Sequence, residues 1–237
     1  GTADFADTIT RAVEHAQSRS DASYRAAVID EAQDLTLMGL QLVRTLVNGK
    51  RDDDRDDGLL IVGDGAQRIY PGAFTLRQAG VEVRGRTTVL RLNYRNTAEI
   101  LAAATTVLGN GPVVDMDDED SDAPNRFEEE RAEASRSGLR PLLVDCGDDE
   151  RENVFLVKQI KNVVASGVVG YGDIGVFVPI NPMVKATVKR LNEGGVSAVP
   201  LKQYDGIPSP EVKVGTYARS KGLEFKVVLL PRVKAGT

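Results

Sequence analysis

Asp30 and Glu31 close the segment Arg25-Ala26-Ala27-Val28-Ile29-Asp30, whose apolar middle predicts a buried strand. Ligands in open parallel sheets bind at the carboxyl ends of the strands. Two adjacent acids at such an end suit nucleotide hydrolysis. One carboxylate holds Mg²⁺ through its water shell, and the other takes a proton from an attacking water. The same residues also suit a helix start, with Asp30 or Asp34 as N-cap and acids favoured by the helix dipole. On these residues alone both readings stand.

Three further strand ends carry polar chemistry. The run Leu59 to Val62 leads into Gly63-Asp64-Gly65-Ala66-Gln67-Arg68-Ile69-Tyr70. Its glycines let backbone approach a ligand. Gln67 can orient a water or a phosphate oxygen, and Tyr70 offers a flat face; an ordinary turn is the other reading. The run 87–92 (TTVLRL) leads into Asn93-Tyr94-Arg95-Asn96-Thr97. There an aromatic can stack on a base while a guanidinium clamps phosphate. Otherwise Arg95 is a surface arginine at a helix start, which the dipole disfavours. Last, TYARSKGLEF (216–225) combines Thr216, Arg219, Lys221, Gly222 and Glu224 in one predicted loop, which also reads as solvated.

These ends need an alternation of strands and helices to position them. Helical spacing is predicted over 3–18, from Leu35 to Asn48, over 97–108 with Thr97 as N-cap and Glu99 in the first turn, over 149–165 and over 183–193. Further strands are predicted at 141–146 (PLLVDC), 173–179, 196–201, 213–218 and 225–230. The pattern is α/β with a mainly parallel sheet. Residues 115–134 hold 10 acids and 2 arginines, so a formal charge of −5 hides +3 on the remainder. The stretch 115–138 reads as a flexible acidic connector. The expected organisation is a first unit over 1–109, a connector over 110–139 and a second unit over 140–237.

Composition excludes several classes. One cysteine, Cys146, excludes an internal disulfide and a cysteine metal cluster. The cysteine reads as a small buried residue. One histidine, His15, argues against a histidine metal site and reads as a solvated helix residue. No apolar run reaches the ~18 residues of a membrane helix, and the first ten residues lack the features of a secretory signal. A cytoplasmic location is the expectation.

In their order, VIDEAQD, LLIVGDGAQRIY, LRLNYRNT and VGTYARSKGLEF resemble motifs II to V of the UvrD/Rep-type superfamily 1 helicases. The resemblance runs from about residue 25 to 231. It implies two RecA-like units, the first partial, with ATP and Mg²⁺ as cofactors and single-stranded or partly duplex DNA as partner. By resemblance, Asp30 would bind Mg²⁺, Glu31 would activate the hydrolytic water, and Gln67 would sense the γ-phosphate. Tyr94 would stack on adenine, Arg95 would serve as an arginine finger, and Gly222 and Glu224 would contact the nucleotide. Tyr70, Phe74, Thr216 and Arg219 would line a DNA track.

The chain also departs from that pattern. It has no G-x-x-x-x-G-K-[ST] phosphate loop, and the glycine-rich run 167–175 lacks the Lys-Ser/Thr pair. It has no tryptophan, so Phe74 is the candidate replacement for a DNA-stacking ring. Ala218 stands where the family has a histidine, and a short link at 202–212 leaves no room for a large inserted domain. The expectation is a helicase fragment, without motif VI, that hydrolyses no ATP alone. The alternative is a non-catalytic helicase-like module that binds nucleic acid or a partner protein.

Overall fold

Val13 and Ala16, three apart on the predicted stripe, are both buried on helix α1 (Phe5–Ser18), which packs against helix α2 (Leu37–Asn48). The computed structural model describes residues 4–18, 24–48, 58–67, 74–83, 85–108 and 133–233. Contacts divide the chain into two units, Gly1–Pro141 and Leu142–Thr237. His15 is exposed, off the buried stripe, as expected.

In the first unit, strands β1 (Ala27–Ile29) and β2 (Leu59–Ile61) pair in parallel, with Ala27 opposite Leu59 and Ile29 opposite Ile61. Ile29 joins a core of Ala32, Leu40, Phe74, Leu76, Ala79 and Val81. Side chains alternate across a strand, and Val28, on the other face, is 72% exposed. The sequence reading of this strand as wholly buried is thus corrected: one face packs and the other is open. The start of α2 is capped by Thr36, whose Oγ1 accepts the Gly39 N–H at 3.1 Å. Neither Asp30 nor Asp34 serves as that cap.

Strand β3 (Leu92–Thr97) pairs in parallel with β4 (Glu133–Arg136) and runs directly into helix α3 (Ala98–Leu108). The strand expected at 87–92 therefore begins at Leu92. Pairing decides this, because β4 starts at Glu133, whose N–H donates to Arg91 O at 2.9 Å. Residues 133–136, expected in the connector, are a strand; residues 109–132 lie outside the described residues. Thr97 Oγ1 accepts the Ile100 N–H at 3.4 Å, in keeping with a cap there.

The second unit holds a four-stranded parallel sheet in the order β6-β7-β5-β8. Its strands are β5 (Ile174–Val178), β6 (Ala198–Pro200), β7 (Val212–Thr216) and β8 (Val227–Leu229). Helices α4 (Asp149–Ala165) and α5 (Asn181–Glu193) supply Leu156, Ile160, Val184 and Leu191 to a core with Ile174, Val176, Val178, Val212 and Val214. Every residue of β5 and β7 is buried, as befits parallel strands covered on both faces. Asp148 caps α4 by accepting the Glu150 and Arg151 N–H groups. The strand expected at 141–146 does not form, and Leu142 and Leu143 are exposed. Apolar composition alone makes no strand, because the backbone needs a neighbour to bond to. Cys146 is half-buried in that irregular stretch. The α/β class with parallel sheets is observed, and no described helix is long and apolar enough to cross a membrane.

Candidate active site

Backbone pairing between β1 and β2 continues past both strands. Val62 N donates to Ile29 O at 2.8 Å, and Ala32 N donates to Val62 O at 3.0 Å. This places Asp30-Glu31 beside Gly63-Asp64, two segments more than thirty residues apart in sequence. The chain turns at Glu31 in the left-handed region (φ 52°, ψ 41°) and enters a short 3₁₀ turn, Ala32–Asp34. Asp30 and Glu31 are exposed while Ala32 and Gln33 are buried, so the turn is anchored from beneath and carries its acids outward.

Polar contacts connect the two segments. Asp30 Oδ1 accepts the Glu31 N–H at 2.9 Å. Gln33 donates from Nε2 to Glu31 Oε2, and its Oε1 accepts the Asp64 N–H at 2.9 Å. Asp64 Oδ2 in turn accepts from Gln67 Nε2 at 2.7 Å. Glu31 and Gln67, predicted separately, therefore belong to one hydrogen-bonded group. Gln33, like Asp64, is a member that sequence reasoning missed. Its one signal is an amide at a position that the turn buries to 2% exposure.

Among the described residues no three His, Cys, Asp or Glu side chains gather as a metal cage. Mg²⁺ needs no such cage; it keeps several waters and binds through one or two carboxylates plus substrate phosphates. Asp30, an exposed carboxylate at a strand end, fits a Mg²⁺ ion delivered with a nucleotide.

Tyr94 and Arg95 lie on β3 rather than in a loop before a helix. Asn93 Oδ1 accepts the N–H groups of Arg95 (2.9 Å) and Asn96 (2.8 Å), which kinks the strand where its register with β4 shifts. The Arg136 guanidinium donates to Arg95 O. Tyr94 is 71% exposed. At the start of α3, the Gly138 N–H donates to Glu99 Oε2 at 2.7 Å and, as the largest cause, lowers the Glu99 pKa.

Two DNA-track assignments change. Phe74 is 3% exposed inside the first core and offers no open face to a base. An aromatic ring without a polar handle gains most from full burial. Thr216 is 7% exposed at the end of β7; Tyr217, Ala218 and Arg219, on the short helix α6 (Tyr217–Ser220), are exposed. Tyr70 lies outside the described residues.

In the second unit, β5 and β7 are neighbours with Val178 opposite Thr216. The chain leaves β5 for β6 on one side and leaves β7 for β8 on the other. Such a reversal opens a crevice at the strand ends, between Pro179-Ile180 and Thr216-Tyr217. The loop beyond α6 carries Gly222, at φ 75°, and the exposed Glu224. It is tied down at its far end by Phe225, whose ring meets Phe177 edge-on at 5.5 Å. Lys226 completes the anchor, with its N–H on Asp173 O and its Nζ 3.2 Å from Asp173 Oδ1.

Residues 1–81 match the family model of the UvrD/REP helicase N-terminal domain. That span includes both strand ends of the Glu31–Gln67 group. Over those residues the chain is similar to the UvrD-type helicases. It is 29% identical over 193 residues to the ATP-dependent DNA helicase UvrD1 of Mycobacterium tuberculosis and of Mycobacterium bovis, covering 78% of this chain and 23% of those proteins. The UvrD1 of Mycobacterium leprae matches at 29% over 176 residues, 69% of this chain and 21% of that protein. The chain thus spans about a quarter of the length of the curated relatives it matches. Tyr94, Arg95, Gly222 and Glu224 lie beyond the residues that the family model covers.

Proposed function

We propose that the chain is part of an ATP-dependent DNA helicase or translocase that couples ATP hydrolysis to movement on single-stranded DNA. The observation that carries this is the hydrogen-bonded group joining Glu31 to Gln67 at two adjacent strand ends. Asp30 holds the Mg²⁺ side of the nucleotide, and Glu31 accepts the proton of the attacking water. Gln67 meets the γ-phosphate, Tyr94 stacks on the adenine ring, and Arg95 neutralises developing phosphate charge. By the same resemblance Gly222 and Glu224 are nucleotide-contacting candidates on their own loop. Tyr70, Tyr217 and Arg219 serve the DNA track, where stacking supplies about 1–3 kcal/mol per base. A Mg²⁺ ion bound with ATP would be held by Asp30 and would supply charge neutralisation to the phosphates.

No residue set in the chain replaces the amides and lysine of a phosphate loop. The chain alone should therefore release no phosphate from ATP, with or without single-stranded DNA. The complete reading frame should hydrolyse ATP when DNA is added, and Glu31→Gln should lower kcat about 10²–10⁴-fold with little change in KM for ATP. Phosphate release by the complete reading frame that is indifferent to Glu31→Gln overturns the reading. DNA binding by that protein with no nucleotide hydrolysis supports the non-catalytic module instead.

A further inference from the structure

Gln33 is buried to 2% exposure, yet it lies between two residues of the proposed hydrolytic group. Its orientation follows from its partners. A carboxylate oxygen only accepts and a backbone N–H only donates, so Nε2 must face Glu31 and Oε1 must face Asp64. Flipping the amide would set acceptor against acceptor and donor against donor. The pocket around it is closed by backbone: a Cβ added at Gly63 would stand 2.9 Å from Gln33 Oε1 and 3.5 Å from Ala32 Cβ. A buried amide with one donor and one acceptor engaged is held in one orientation, so it can tie the Glu31 carboxylate to the Asp64 backbone.

We propose that Gln33 is the positioning residue of the hydrolytic site: it holds the Glu31 carboxylate at one end and, through Asp64, sets the Gln67 amide at the other. This rests on the reading of Glu31 and Gln67 given above. Two features of the site call for such a part. Glu31 has a left-handed backbone (φ 52°), which a β-carbon disfavours, so its side chain needs a tether to hold one direction. Gln67 is exposed in a short 3₁₀ turn, Gly65–Gln67, and its side-chain amide donates to Asp64, the residue whose own N–H Gln33 receives. The phosphate-sensing and water-activating groups thus share one buried amide, so a shift at either strand end reaches the other.

Gln33→Met tests this, because it keeps length and volume but offers neither amide group. In DNA-stimulated ATP hydrolysis by the complete reading frame, kcat should fall about 10- to 100-fold while KM for ATP stays within about 2-fold. An unchanged kcat in a folded Gln33→Met protein overturns the proposal. A fall in kcat matched by an equal rise in KM overturns it too, since that marks general damage to binding. Glu31→Gln in the same assay separates the two levels. If Glu31→Gln abolishes turnover and Gln33→Met does not, only the role of Gln33 falls; if Glu31→Gln leaves turnover intact, both fall. Should Gln33→Met fail to fold, the unsubstituted chain decides by nuclear magnetic resonance. The Gln33 side-chain amide protons and the Asp64 amide should exchange with water at least ~10-fold more slowly than those of the exposed Gln203; equal rates overturn the proposal.

Discussion

Glu31 and Arg232 are the non-glycine residues with positive φ among those described. At Glu31 the left-handed backbone costs about 1–2 kcal/mol, and strain of this kind collects at functional sites. Replacing Glu31 by glycine removes that cost and also removes the hydrogen bond from the buried Gln33 amide to a carboxylate, worth about 1.5–3 kcal/mol. The two terms offset, so Glu31→Gly should leave the urea unfolding midpoint of the chain nearly unchanged, while turnover of the complete reading frame is lost. A clear drop in that midpoint would show that the residue serves stability. Arg232 is different: its guanidinium is 3.1 Å from Glu152 and its N–H donates to Glu152 Oε1 at 2.8 Å, so the strained backbone there is repaid by ion pairing with α4.

At the level of elements, β5 decides the geometry of the second unit. A Cβ added at Gly175 would lie 2.8 Å from the Phe177 ring and 3.0 Å from Phe225, so the edge-on ring pair exists because residue 175 has no side chain. Gly175→Ala should cost about 1–3 kcal/mol in equilibrium unfolding, the range for overpacking, and should loosen the loop that carries Gly222 and Glu224. The same loop is held by Asp173, whose pKa is lowered by the Gly170 N–H and then by Lys226. A lowered carboxylate pKa gives stability that is present above its ordinary value of 3.8 and is lost as pH falls through the folded value. Thermal unfolding midpoints between pH 6 and pH 2 should fall less steeply for Asp173→Asn than for the unsubstituted chain. Identical slopes would remove Asp173 from the anchoring of this loop.

For the whole molecule, charge is unevenly placed. The acidic stretch from Asp115 to Ala134 carries −8 on a body that is otherwise +3. A stretch of that charge repels a nucleic-acid phosphate backbone, an electrostatic competition with the cationic side chains of the remainder. Changing Asp117, Asp118, Glu119 and Asp120 to their amides should tighten binding of single-stranded DNA about 2- to 5-fold at low salt, with the gain shrinking as salt rises. Fluorescence anisotropy at two salt concentrations checks this. Affinity that is insensitive to both the substitutions and the salt would exclude electrostatic competition.

What was readable in advance was the order of elements and the identity of the acids. Period and capping placed α1, α2, α4 and α5 near their observed limits, because a helix is local and its signals lie within a few residues. Strand limits were less legible at 87–97 and 141–146: Leu92 to Thr97 form a strand because Glu133 to Arg136 lie alongside, and Leu142 to Val144 pair with no strand among the described residues. A strand's hydrogen bonds belong to two segments, so one segment cannot announce them. The same reason hid Gln33. Its type is visible in VIDEAQD, but only the parallel pairing of β1 with β2 brings the Asp64 N–H within 2.9 Å and turns an isolated glutamine into the link between Glu31 and Gln67.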